Sequence, residues 1–216
     1  MFDERLRRAK DRALAPAAAR LGRVPPLAIT AAGLAVGLAC AGAALAGDVP
    51  TSLGLWATNR VLDGLDGAVA RAHGTTTDRG GYLDLVADFV TYAAIPVAQV
   101  AGSANPGALA VPLGLLLGSY YVNAVSWLAL GAILDRRDLG NGVAPARETT
   151  VAMPTGLIEG AETVAFVAAC LAWPGSLGWL FTGFGTLVIA TAAQRVAWAW
   201  RALRPAPTEG RGGSGG

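Results

Sequence analysis

Residues 63–88 read DGLDGAVARAHGTTTDRGGYLDLVAD, and how this stretch divides decides the fold. It carries Asp63, Asp66, Asp84 and Asp88 within two segments otherwise rich in Ala, Val, Leu and Gly. Asp63 and Asp66 are three apart and Asp84 and Asp88 four apart, so on helices each pair projects from one face. The segment from Ala72 to Arg79 predicts a short turn that makes the two helices antiparallel neighbours. Asp66 would lie roughly 9 Å before that turn and Asp84 roughly 8 Å after it, facing each other at one depth. Asp63 and Asp88 would then sit one helical turn further in, so that four carboxylates converge on a small volume.

Outward from this stretch the chain is strongly apolar. Of its 216 residues 53% are hydrophobic and 15% charged, with a mean hydropathy of +0.46, which takes it out of the range of water-soluble domains. The net charge of +2 is spread over separate clusters with no basic stripe interleaved with aromatics, which argues against a nucleic-acid partner. Apolar runs long enough to cross a bilayer are predicted near 26–47, 51–71, 82–103, 107–134, 155–173 and 176–200. The second is the least apolar, because it holds Asn59, Arg60, Asp63 and Asp66. Counting it segregates the positive charges completely. Arg5 to Arg23, Arg71 and Arg79, Arg136, Arg137 and Arg147, and Arg201, Arg204 and Arg211 then share one side, and the connections near 48–50, 104–106 and 173–175 carry no Lys or Arg. This pattern predicts six spans with both termini cytoplasmic.

The expectation is an all-α polytopic membrane protein. Residues 1–22 are predicted as an amphipathic helix on the cytoplasmic surface, 23–203 as a six-helix domain and 204–216, ending in Gly-Arg-Gly-Gly-Ser-Gly-Gly, as a disordered tail. The charged start lacks the apolar core and cleavage site of a signal peptide. Cys40 and Cys170 lie in apolar runs and read as small buried hydrophobes. Gly33 and Gly37 form a pair that lets helices approach closely.

Four carboxylates in close quarters stay ionised only if cations neutralise them. An all-carboxylate set without a His or Cys cluster selects a hard ion, Mg²⁺ or Mn²⁺, and two such ions would form a clamp for phosphoryl chemistry. Gly67 and Gly80 leave room beside the carboxylates, Ala70 keeps that face small, and Arg71 can fork onto a phosphate.

The pattern Asp63-x-x-Asp66-Gly67-x-x-Ala70-Arg71, eight residues, then Gly80-x-x-x-Asp84-x-x-x-Asp88 resembles the complete signature of the CDP-alcohol phosphotransferases. The resemblance implies six transmembrane helices preceded by a surface helix, and a homodimer. It implies that Asp63, Asp66 and Asp84 hold the metals, with Asp88 both a ligand and the base for the acceptor hydroxyl. It further implies a nucleotide site at Gly67, Ala70, Arg71, Thr77 and Gly80, extended to Ala28 and Thr30 at the start of the first span. The reaction would transfer a phosphatidyl or phosphoalcohol group from CDP-diacylglycerol or another CDP-alcohol to an alcohol, releasing CMP, in the plasma (inner) membrane if the source is prokaryotic.

Arg136, Arg137 and Arg147 flank the inner ends of the fourth and fifth spans, where they could grip a phosphorylated acceptor or simply anchor the chain. Arg60 is expected to pair with Glu162, or with Glu159, because a lone charge at that depth is costly. Arg195 is a further charge within the sixth span, and His73 reads as an exposed imidazole in the turn. The competing class is a membrane cation transporter, which would explain the buried carboxylates but not the fixed Gly, Ala and Arg positions.

Overall fold

The computed structural model describes residues 14–16, 18–21, 24–140, 158 and 160–203, with side chains through 137 in the fourth helix. Among these residues there are six main α-helices and no strand: α1 Pro26–Leu45, α2 Val49–Ala72, α3 Asp78–Ala101, α4 Pro106–Gly140, α5 Gly160–Ala172 and α6 Leu177–Ala202. A 3-10 turn at Pro174–Ser176 leads into α6. The chain is an all-α, multi-pass membrane protein. By length and composition α1, α3, α4 and α6 can each cross a bilayer. The sequence predicts six spans, and the difference has two causes. Charged groups lower the apolarity of α2, and α5 has only 13 described residues.

Local chemistry sets the helix ends. Pro26 opens α1, where its missing N–H and fixed φ are tolerated. Asp48 caps α2, accepting from Thr51 N at 3.2 Å, and the Thr51 hydrogen bonds hold its carboxylate below the ordinary range. Gly74, at φ 63°, reverses the chain after α2 in a backbone region that side chains disfavour. Thr77 caps α3, accepting from Gly80 N at 3.1 Å.

Packing divides the helices into two groups. α1 lies against both α2 and α3, while α4 lies against α6. α2 and α3, although joined by a five-residue turn, make few close backbone contacts with each other and are held mainly through α1. Gly37 is the reason that α1 can come so near. A Cβ there would stand 2.7 Å from Thr91 Oγ1 on α3 and 3.1 Å from Asn59 Nδ2 on α2. At the far end the α3 backbone at Gly102 meets the Leu45 carbonyl so closely that any Cβ would overlap it.

α5 joins the two groups. Trp56 Nε1 donates to Val164 O at 3.3 Å and Gln99 Nε2 to Cys170 O at 2.8 Å, tying α2 and α3 to the α5 backbone. Phe166 of α5 stacks on Phe184 of α6 with ring centroids 3.9 Å apart, and Phe181, Leu116, Ile95 and Cys40 complete the buried core. Cys40 and Cys170 are free and buried, as expected of small hydrophobes. Arg195 of α6 donates to Asn123 Oδ1 and Ser126 Oγ of α4, both at 2.8 Å, which satisfies a charge inside the span.

Residues 14–16 and 18–20 are helical, and Leu14, Ala18, Leu21 and Val24 pack on Ile29, Leu65, Ala68 and Val69. Leu14 and Ala18, within the expected surface helix, therefore cover the end of α2 near Asp63 and Asp66. Residues 1–13 and the expected tail, 204–216, lie outside the described residues.

Candidate active site

Asp63 and Asp66 project from α2, and Asp84 and Asp88 from α3, into the gap that α1 closes from behind. All four line one inner cavity with Thr30, Gly33, Asn59, Arg60 and Thr91. A larger cavity of about 460 Å³ adjoins it. Asp66 and Asp84 line both, whereas Asp63 and Asp88 line only the inner one. The helix register explains this. Asp66 and Asp84 are the pair nearer the turn, and the other two stand one turn further along α2 and α3.

The larger cavity is lined by Thr30, Gly67, Ala70, Arg71, Thr77 and Gly80 among others, so six of the seven residues expected to meet a nucleotide border it. Ala28 is exposed and borders neither cavity, because its side chain falls on another face of α1 from Thr30. A Cβ on Gly67 would stand 3.0 Å from Arg71 Nη1, so glycine there lets the guanidinium fold back along α2. Gly80 similarly leaves space for the Thr77 hydroxyl, 3.2 Å from where a Cβ would sit. Pro25, Thr75, Thr76 and Arg79 also line this cavity and were not singled out in the sequence. Their proximity to Thr77 and Pro26 in the chain was the available signal.

The carboxylates are engaged by protein groups. Asp66, only 5% exposed, accepts from Thr30 Oγ1 at 2.6 Å and from the Gly67 backbone N–H. Asp88 Oδ1 accepts from Arg60 Nη2 at 2.9 Å, and Asp63 Oδ1 lies 4.0 Å from Arg60 Nη1. Among the described residues no group of three or more His, Cys, Asp or Glu side chains stands close enough together to form a ready ligand set for a metal. The donor chemistry nevertheless fits a hard divalent cation. Four aspartates border one cavity, oxygen is the donor atom throughout, and the single positive charge of Arg60 cannot balance four negative charges.

The predicted pairing of Arg60 with Glu162 is corrected by these contacts. Arg60 turns toward α3, bonding Asp88 and Tyr92 Oη, the latter at 3.0 Å, while Glu162 lies exposed at the start of α5. Asp88, across the gap on α3, offers the opposite charge within hydrogen-bond reach of the guanidinium. Glu159 lies outside the described residues, as does Arg147. Arg136 and Arg137 are exposed near the end of α4, and Arg137 Nη2 donates to Leu203 O at 3.0 Å, closing the last turn of α6. Neither borders the two cavities. His73 is exposed at the end of α2.

Among the described residues, six helices enclose a gap bordered by four aspartates, with a cavity lined by Gly67 and Gly80 beside it. The family model for CDP-alcohol phosphatidyltransferase matches residues 23–193, and the chain belongs to that family. It is similar to the inner membrane protein YnjF of Escherichia coli (strain K12), at 34% identity over 175 residues, covering 80% of this chain and 82% of the relative. The fold is similar to phosphatidylinositol phosphate synthase of Mycobacterium tuberculosis. With CDP-DAG bound, that structure matches at a TM-score of 0.69 and 21% identity over 90% of this chain and 98% of its own. In complex with manganese and citrate, it matches at a TM-score of 0.68 and 20% identity over 89% of this chain and 93% of its own.

Proposed function

We propose that the protein transfers the phosphatidyl group of CDP-diacylglycerol, or the phosphoalcohol of another CDP-alcohol, to an alcohol hydroxyl in phospholipid synthesis. The observation that carries this reading is that all four signature aspartates border one cavity, which shares Thr30, Asp66 and Asp84 with the adjoining cavity lined by Gly67, Ala70, Arg71, Thr77 and Gly80. A fold relative solved with CDP-DAG and another form of it with manganese support both halves of the site.

In this reading Asp63, Asp66, Asp84 and Asp88 hold two divalent ions, Mg²⁺ or Mn²⁺. When bound, such ions neutralise charge on the donor pyrophosphate and on departing CMP. The chain's own residues do the rest. Gly67 and Gly80 let the cytidine diphosphate lie against the helix backbones, and Arg71 faces its phosphates. The alcohol oxygen attacks the phosphorus that bears the lipid, the bond from that phosphorus to the bridging oxygen breaks, and CMP leaves with the bridging oxygen. Asp88 takes the hydroxyl proton. Arg136, Arg137 and Arg147 remain candidates for an acceptor phosphate. In this reading both termini are cytoplasmic, which the distribution of Arg supports, and the inner-membrane relative fits a plasma (inner) membrane location. The reading includes a homodimer, which the family resemblance implies.

The test is to incubate the purified protein with Mg²⁺ or Mn²⁺, CDP-diacylglycerol and a panel containing glycerol 3-phosphate, inositol 1-phosphate and serine, and to measure CMP. Release that depends on one of the alcohols supports the reading. Absence of CMP with every alcohol, and with other CDP-alcohols as donors, would overturn it.

A further inference from the structure

Among the described residues that line the inner cavity, Arg60 is the one with a cationic side chain, and it has many partners. Its side chain is 14% exposed. The guanidinium carbon lies 4.5 Å from the Trp56 ring centroid and 5.1 Å from that of Tyr92, so aromatic faces hold it on both helices. Nε and Nη2 donate to Asn59 Oδ1 at 2.9 and 2.6 Å, Nη1 donates to Tyr92 Oη at 3.0 Å, and Nη2 donates to Asp88 Oδ1 at 2.9 Å. Asn59 is itself fixed, because its Nδ2 donates to Gly33 O of α1 at 2.8 Å. That bond also settles which end of the amide faces Arg60.

With Nε and both Nη2 hydrogens bonded to protein acceptors and Nη1 held by Tyr92, most of the Arg60 fork is committed to the protein rather than to a substrate phosphate. The network instead runs from the α1 backbone through Asn59 and Arg60 on α2 to Asp88 on α3, across the same gap in which the carboxylates stand. α2 and α3 make few close backbone contacts of their own, so this chain of bonds is a polar link between them at the depth of Asp88.

We propose that Arg60 is a positioning residue for Asp88, fixing the carboxylate that receives the acceptor's proton through a guanidinium locked by Asn59, Trp56 and Tyr92. The proposal rests on the reading of Asp88 as the base. Lysine cannot reproduce it, because an ammonium lacks the planar fork that reaches Asn59 and Asp88 together.

The test uses the full chain in detergent with Mn²⁺, CDP-diacylglycerol and the panel alcohol that supports turnover. Arg60→Lys is expected to lower kcat by about 10- to 100-fold, the usual scale for a group that orients a ligating or reacting side chain, with KM for CDP-diacylglycerol within about twofold of the parent. Independently of activity, melting of Arg60→Lys, Asp88→Asn and the double variant should show coupling, the double losing clearly less than the two single losses combined. Additive melting losses, or kcat at the parent value in Arg60→Lys, would overturn the proposal. If Arg60→Lys does not fold, Tyr92→Phe takes its place, since it removes one acceptor and keeps the ring. Its kcat should fall with KM steady, and parental kcat would count against Arg60 in the same way. Turnover retained in Asp88→Asn is a different failure, that of the base assignment itself.

Discussion

Thr30 Oγ1 donates to Asp66 Oδ2 at 2.6 Å, a bond from the first helix to the buried carboxylate that stands where the inner and outer cavities meet. The sequence suggests Thr30 as a nucleotide contact, and the structure gives its hydroxyl a partner in the carboxylate cluster. Thr30→Val keeps the shape and removes the donor. We expect kcat to fall by about 10-fold, with the concentration of Mn²⁺ needed for half-maximal activity rising, as for loss of an outer partner of a ligand. A change confined to KM for the CDP donor would instead mark Thr30 as a nucleotide contact only.

Asp66→Asn and Asp88→Asn each preserve size and remove a negative charge. CMP release is expected to drop below about a thousandth of the parent in both, the scale for losing a member of a reacting group. Melting in detergent will separate this from unfolding. Either variant turning over normally would defeat the proposed chemistry.

Stripping the protein with a chelator should abolish CMP release, and adding back Mg²⁺ or Mn²⁺ should restore it. The physical basis is that four aspartates border one cavity with Arg60 as their paired cation. Activity that persists after exhaustive chelation would remove the metal from the mechanism.

Gly33 and Gly37 look equivalent in sequence but are predicted to respond differently to alanine. At Gly33 the nearest atom to a new Cβ is Leu62 Cβ at 3.6 Å, an ordinary contact, so Gly33→Ala should leave stability nearly unchanged. At Gly37 the Cβ would meet Thr91 Oγ1 at 2.7 Å and Thr91 Cγ2 at 2.8 Å, and overpacking of this kind costs about 1–3 kcal/mol. Because Thr91 and Asn59 both adjoin the site, Gly37→Ala should also reduce turnover. Comparing the two melting temperatures checks the contrast.

Gly102→Ala should be the most damaging glycine substitution among the described residues, since its Cβ would overlap the Leu45 carbonyl oxygen and no flexible side chain can yield. We expect a lower yield of folded protein and a melting temperature below that of Gly37→Ala. Parental melting of Gly102→Ala would show that α1 and α3 separate there without cost.

The aspartates were legible because a charge in an apolar helix has few inexpensive explanations, and helical spacing assigned each pair to a face. The partners of Arg60 were not. Glu162 and Asp88 were both carboxylates one could pair with Arg60 from the sequence, and only the packing of the helices gave the guanidinium to Asp88. Tyr92, one turn beyond Asp88, and Asn59, one turn before Asp63, carried a signal that could have been read. Both lie on the faces already marked by the carboxylates.

Sequence by itself determined what depends on local periodicity and composition: the apolar helices, the turn near Gly74, and the faces on which four aspartates project. Tertiary structure decided what depends on distances between helices remote in the chain. It set the contact of Gly37 with Thr91, the bond from Thr30 to Asp66, and the choice of Asp88 by Arg60. Periodicity fixes direction about a helix axis, whereas the separation and rotation of two helices emerge only when all side chains between them must fill the same space.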